Sequence, residues 1–206
     1  MSDSNEREIR IPSQKRSIAK RNTILSAAKE MFLEEGYMAV NTNEIAKKAG
    51  VSVGTLYSYF KDKREIFLCI MEDCNADFRE LCKKSRVELN VCDDPMVTLE
   101  RFFDVLMSAL SVYGGLFKEY LNHVAASVEE KRKFFSEQNK IMFQILLELL
   151  NEWGDKLRVK DKEVSTLMVL ELGFTVADQI SSGYSPVPPE VLKQEMLDTV
   201  HRYLFK

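Results

Sequence analysis

The sequence predicts an all-α chain: an N-terminal three-helix module carrying a helix-turn-helix, then a C-terminal helical bundle, about nine helices in total. Three observations lead there. Helix-breaking residues are scarce, with 5 Pro and 8 Gly in 206 residues, while the good helix formers Leu, Glu, Lys and Ala recur throughout. Apolar residues return at helical spacing in one segment after another. Finally, the stretch from Asn41 to Lys63, NTNEIAKKAGVSVGTLYSYFKDK, reads as two short helices joined by a tight turn.

That stretch specifies its own geometry. Ile45, Ala46 and Ala49 put small or apolar side chains on one face of the first helix. Gly50 follows at once, where a positive φ ends a helix without steric cost. Val51 is an apolar plug and Ser52 a good N-cap, so a second helix runs from Val53 to about Phe60, with Leu56, Tyr59 and Phe60 returning to the apolar face. A small residue at Ala46 lets that helix cross closely. Asn41 caps the first helix, and Glu44, three residues on, completes a capping-box-like pair. Residues 41–60 thus have the layout whose second helix enters the DNA major groove. Thr42, just inside the first cap, sits where a phosphate is readily held.

Composition is consistent with this. A content of 45% apolar and 30% charged residues is that of a globular chain, long enough for a sizeable core. No apolar run is long enough to span a membrane, and the charged N-terminus lacks an apolar signal region; a cytoplasmic chain without a membrane partner is expected. The net charge of −3 is unevenly spread: residues 1–64 carry 12 Lys and Arg against 8 Asp and Glu, and the remainder 17 against 24. A basic module on an acidic body suits a polyanion at one end. A chance split would read the same way, and it is the adjoining helix-turn-helix that turns it into support.

Residues 1–13 are polar, aperiodic and contain Pro12, which reads as a mobile arm. Lys15, Arg16, Lys20 and Arg21 open the first long helix, Ser17 to Glu35, whose face of Ile24, Ala28, Met31 and Phe32 builds the small core under the helix-turn-helix. Such helix starts touch the DNA backbone, although a solvated basic face explains any single one equally well. On the second helix of the motif, Val53, Gly54 and Thr55 occupy the first turn, the part aimed at base edges. Val53 and the Thr55 methyl suit thymine methyls, and Gly54 permits close backbone approach. Tyr57 and Tyr59 carry hydroxyls able to hold phosphates, Tyr59 also being a core position. Ser52 at the same turn joins this DNA-facing set. No Arg, Asn or Gln lies within Val53–Phe60, so Asn43 is the best donor for a specific base contact.

At these residues the chain resembles the TetR family of transcriptional regulators. The family pattern stands here as Ile45-Ala46, Ala49-Gly50-Val51-Ser52, Gly54, Leu56-Tyr57, Tyr59-Phe60 and Lys63, and the resemblance covers about Ser17 to Met71. It implies that Thr42, Asn43, Val53, Thr55, Tyr57 and Lys63 face DNA, with Lys63 a phosphate anchor at the start of the next helix. It further implies a DNA-binding domain at residues 1–64, a ligand-sensing and dimerisation domain at 65–206, and a repressor that binds a palindromic double-stranded operator as a dimer. A small-molecule inducer would release it.

The remaining elements read as follows. A helix from about Asp62 carries Ile66, Phe67, Ile70, Met71, Cys74, Phe78 and Leu81 as an amphipathic stripe. Residues 90–95 break it, with Asp93 or Asp94 capping a helix that starts at Pro95. Its inward face is Leu99, Phe102, Phe103, Leu106 and Leu110, and Gly114-Gly115 is read as its end. A short helix from Leu116 to about Val128 and a long one from Lys131 to about Trp153 follow. Aromatic and polar residues here make a small-molecule pocket conceivable, lined by Phe103, Phe117, Tyr120, His123, Gln138 and Met142; core is the better bet for any one aromatic. In the family this region holds the inducer pocket, and here the likeness is one of position.

Two apolar-faced helices close the chain, Lys162 to about Ser182 and one after Pro189. Leu167, Leu172, Val176, Ile180, Met196, Val200 and Tyr203 either form a two-fold four-helix interface or complete the monomer core. Cys69, Cys74, Cys82 and Cys92 fit no metal spacing and read as small apolar residues, with redox sensing at Cys82 or Cys92 the minority view. No cofactor, metal or catalytic residue is expected. The only histidines are His123 and His201, and no nucleophile–base order or phosphate loop accompanies them. The rival to the inducible repressor is a DNA-bound scaffold controlled by a protein partner.

Overall fold

The computed structural model describes residues 15–88, 94–183 and 185–206, with no side-chain description at positions 15, 86–88, 135 and 137–139. The arm at residues 1–13, Lys15 as a contact, Cys92, Asp93 and the Gln138 side chain therefore lie outside the described residues. Among the described ones, the elements are α1 (Lys15–Glu35), α2 (Thr42–Lys48), α3 (Val53–Tyr59), α4 (Lys63–Glu88), α5 (Pro95–Glu119), a π-helical turn (Tyr120–Val124), α6 (Val128–Trp153), a 3-10 turn (Gly154–Lys156), α7 (Lys162–Ser182) and α8 (Pro189–Leu204). The chain is all-α, as expected; one isolated bridge, Leu157 to Phe205, is its only described β pairing. No described helix is long and apolar enough to cross a membrane.

The chain divides into two compact units, Met1–Cys74 with Leu116–Ala126, and Asn75–Gly115 with Ser127–Lys206. In the first, Ile24, Ala28, Met31 and Phe32 of α1 are buried together with Ile45, Ala46, Leu56 and Phe60. The start of α4 belongs here too, because the Phe67 ring packs on Phe32 and Tyr37 at centroid distances of 5.1 and 5.2 Å.

In the second unit α5, α6, α7 and α8 share one core. Phe103, Leu106, Leu146, Leu149, Val169 and Val200 belong to it. Asp94 accepts the Met96 N–H at 2.9 Å and Pro95 opens α5, as the sequence implies. Three expectations need correction. Gly114-Gly115 does not end α5, which runs on to Glu119. Each helical Gly costs about 1 kcal/mol against Ala, but Leu106, Ala109 and Leu116 on either side are essentially fully buried, and that burial outweighs the loss. The segment read as a short helix to Val128 is instead the end of α5 plus the π-helical turn, closed by the Ala125 N–H on Tyr120 O at 2.8 Å. α6 begins at Val128 rather than Lys131, because Ser127 caps it through the Glu130 N–H at 3.1 Å.

Gly173 on α7 is the closest packing point. A Cβ there would lie 2.3 Å from Cε1 of Phe103, itself 1% exposed. The ring has nowhere to go, so Gly173→Ala overpacks the core and lowers unfolding free energy by about 1–3 kcal/mol, read from urea denaturation.

Cys82 is fully buried and donates to Met142 Sδ at 3.5 Å. Burial pushes its thiol from the ordinary 9.0 to about 11. The folded state then holds a proton that the unfolded chain releases between these values. That contribution is complete below pH 9 and is lost as pH rises towards 11. Cys82→Ala removes this slope, which denaturation midpoints across the same window measure.

Candidate nucleic-acid interface

The helix-turn-helix is built as its residues dictate. Asn41 Oδ1 accepts the Asn43 and Glu44 N–H groups at 3.0 and 3.1 Å, and Glu44 reaches back to the Asn41 N–H at 3.2 Å. α2 ends at Lys48 with Ala49 as its C-cap, Gly50 turns with φ +65°, and the Val51 N–H returns to Ala46 O at 3.0 Å. Ser52 Oγ then caps α3 through the Thr55 N–H at 3.1 Å. Leu56 and Tyr59 turn inward, which leaves Val53, Gly54, Tyr57 and Ser58 on the outer side, with Lys61 exposed just beyond. Nothing but Ser52 Oγ, at 4.0 Å, lies near a Cβ added at Gly54, so backbone there is open to close approach.

The DNA-facing residues expected from sequence fall into two groups. Lys20, Asn43, Ser52, Val53, Gly54 and Tyr57 are exposed, and Thr42 and Thr55 are half-buried. Their hydroxyls are paired: Thr42 Oγ1 with Tyr57 Oη at 2.9 Å, and Ser52 Oγ with Thr55 Oγ1 at 2.8 Å. Each pair presents two oxygens at one spot and retains acceptor lone pairs for a ligand.

Three residues are held inside instead. Tyr59 is 7% exposed and its hydroxyl meets Ser17 Oγ at 2.9 Å. Arg21 is half-buried, lying 5.3 Å from the Phe60 ring centroid and donating to Cys69 Sγ at 3.1 Å. Lys63 donates to Tyr37 O and Val40 O at 2.7 and 2.8 Å and lies 4.2 Å from the centre of the Tyr37 ring; burial lowers its pKa. Two of its three N–H donors are spent on the α1–α2 loop. Sequence separations of 42, 48 and 26 residues put these contacts beyond local pattern reading. The sequence also missed Glu119, whose carboxylate accepts the Tyr37 N–H at 2.6 Å.

The pocket residues expected from sequence fall in both units. Phe103 and Met142 are core residues of the second unit at 1% exposure. Phe117, Tyr120 and His123 fall in the Leu116–Ala126 segment of the first. His123 is exposed at the end of the π-helical turn, so it lines no interior. Of the interface residues, Val176, Met196 and Val200 are buried within the chain at 8%, 5% and 1% exposure, which is the core-completing alternative. Leu172, Ile180 and Tyr203 are half-buried, and Leu167 is 50% exposed.

With this geometry in place, comparison with known proteins is direct. Residues 24–70 match the pattern of the bacterial regulatory proteins of the tetR family. The likeness to that family lies in the helix-turn-helix segment. The transcriptional regulator QacR of Staphylococcus aureus is 30% identical over 105 residues, 48% of this chain and 56% of the relative. The transcriptional activator FasR of Mycolicibacterium smegmatis is 40% identical over 68 residues, 33% of this chain and 29% of the relative. The matches therefore span about half or less of these relatives' length, and both relatives are regulators of transcription, not enzymes. The transcriptional regulator FadR from Bacillus subtilis, solved in complex with stearoyl-CoA, superposes with a TM-score of 0.65 over 88% of this chain and 98% of that one at 20% identity. That likeness is one of fold.

Because Lys63 stitches the loop between α1 and α2, Lys63→Met is expected to lower stability without DNA by about 1 kcal/mol, the scale of partly exposed charge-assisted hydrogen bonds. Thermal melting of the free protein reads it. A residue serving only as a phosphate anchor would leave the melt unchanged.

Proposed function

We propose that this chain is a TetR-type dimeric repressor that binds a palindromic double-stranded operator through residues 1–64 and answers an inducer through residues 65–206. The observation that carries the DNA half is α3, which buries Leu56 and Tyr59 and turns Val53, Gly54 and Tyr57 outward. Base readout falls to Val53, Gly54 and Thr55, with Asn43 beside them. Phosphates fall to Thr42, Ser52, Tyr57 and Lys20, with the third Lys63 donor left for one more.

The dimer half is supported by an apolar stripe. Val164, Leu167 and Met168 of α7 are 54%, 50% and 57% exposed, and Val191 of α8 is 49% exposed. Spacings of three and four residues put the α7 trio on one face. A second copy covering it would set two recognition helices on half-sites about 34–36 Å apart, or a multiple of that.

For the effector, the fold neighbour holds stearoyl-CoA. Here Phe103 and Met142 are packed core, so an effector that reaches these two side chains displaces core packing. It would then favour a conformation with lower operator affinity, by the same coupling in both directions. The same close packing favours the second reading, a DNA-bound regulator controlled by a protein partner.

Selection of bound genomic fragments at two salt concentrations tests the DNA half. The expected result is a palindrome with a steep salt slope; recovery of no preferred sequence sinks the repressor reading. Leu167→Glu with Met168→Glu is expected to give a monomer by sedimentation equilibrium and to weaken palindrome binding at least about a hundredfold, since half-sites are then read singly. A double variant that stays dimeric removes this stripe from the interface.

A further inference from the structure

We propose that Ser17 and Arg21 are positioning residues that set the tilt of the recognition helix, with Arg21 acting through Phe60 and Cys69 rather than on DNA. This rests on the DNA-binding reading above and assigns a role to two side chains on the N-terminal turns of α1.

The sequence makes Arg21 look like its neighbours Arg16 and Lys20. The structure separates them. Arg16 and Lys20 are exposed, while Arg21 is half-buried, with its guanidinium carbon 5.3 Å from the Phe60 centroid and Nη2 donating to Cys69 Sγ at 3.1 Å. Only a planar group with several edge donors does both at once; a lysine ammonium is a point charge on a flexible stem. Ser17 sits four residues earlier on the same α1 face, and its hydroxyl meets Tyr59 Oη at 2.9 Å.

The two grips act at one place. Tyr59 is the last residue of α3 and Phe60 its C-cap. The far end of α3 is held separately, by the Ser52 cap and by the Val51 N–H on Ala46 O. A helix pinned at both ends has a defined tilt. Without the α1 grips its first turn stays attached while its last turn is free to swing. Exposed phosphate-binding groups on other elements keep their places, but the base-reading face loses register. Sequence discrimination is then lost, and binding to arbitrary DNA is not.

The test uses the full-length protein, the duplex recovered by selection, and a scrambled duplex of the same length. Arg21→Lys and Arg21→Met are each expected to weaken the selected duplex about tenfold, the scale of one lost base contact. Scrambled-duplex affinity and the salt slope stay at wild-type values. Tyr59→Phe weakens the selected duplex as Ser17→Ala does, and the double variant is no worse than either, because both remove one contact. Arg21→Lys binding like wild type overturns the proposal. So does Arg21→Met weakening both duplexes alike with a slope reduced by about one, the mark of a phosphate contact. A general loss of folded protein would lower both affinities together and show in the melt. If Arg21→Met does not fold, Arg21→Lys and Ser17→Ala decide. A wild-type chain that prefers no sequence overturns the DNA-binding reading along with this one. A wild type that prefers a palindrome, with variants that bind as it does, overturns the positioning role alone.

Discussion

α3 spans seven residues, Val53–Tyr59, and a helix that short has no stability of its own in water. Its existence depends on what buries its inner face and closes its ends. Leu56 is fully buried, Tyr59 and Phe60 nearly so, and the Ser52 cap satisfies an N-terminal amide that would otherwise need water. What α3 presents outward follows from that constraint. The outer face is whatever remains after the inner face has been committed, here Val53, Gly54, Tyr57 and Ser58.

The same constraint divides polar side chains that look equivalent in the sequence. Lys20 and Lys63 are both lysines near the motif, yet one is solvated and the other ties two loop carbonyls. Tyr57 and Tyr59 are two residues apart, yet one hydroxyl is outside with Thr42 and the other inside with Ser17. A hydroxyl or ammonium spent on an internal partner gains little by turning to a phosphate, since it must first give up a bond of similar strength. Which groups remain available is thus decided by packing, and the exposed hydroxyl pairs come pre-oriented.

In the C-terminal unit the apolar pattern serves two destinations. Val176, Met196 and Val200 close the core of the chain itself, while Val164, Leu167, Met168 and Val191 stay on the surface. Both sets recur at helical spacing, and periodicity alone does not separate them. Gly173 shows why shape matters as much as hydrophobicity: α7 comes so close to Phe103 that no side chain fits between them.

The sequence by itself determined the fold class, the helix-turn-helix and its caps, because these depend on residues within four positions of one another. Asn41 with Glu44, Gly50 after Ala49, and Ser52 before Val53 each specify a local backbone event whose partner is next door. It also marked Val53, Gly54 and Tyr57 as outward, since Leu56 and Phe60 had to point in. What only the tertiary structure decided are the pairings that span the unit: Ser17 with Tyr59, Arg21 with Cys69, Lys63 with the carbonyls of Tyr37 and Val40, and Glu119 with the Tyr37 amide. It likewise decided that α5 passes through Gly114-Gly115, where buried neighbours override a weak local preference. The physical reason is common to all of these. Local rules act through backbone hydrogen bonds a turn apart, whereas the fate of a long polar side chain is set by whichever element arrives within 3 Å of its tip.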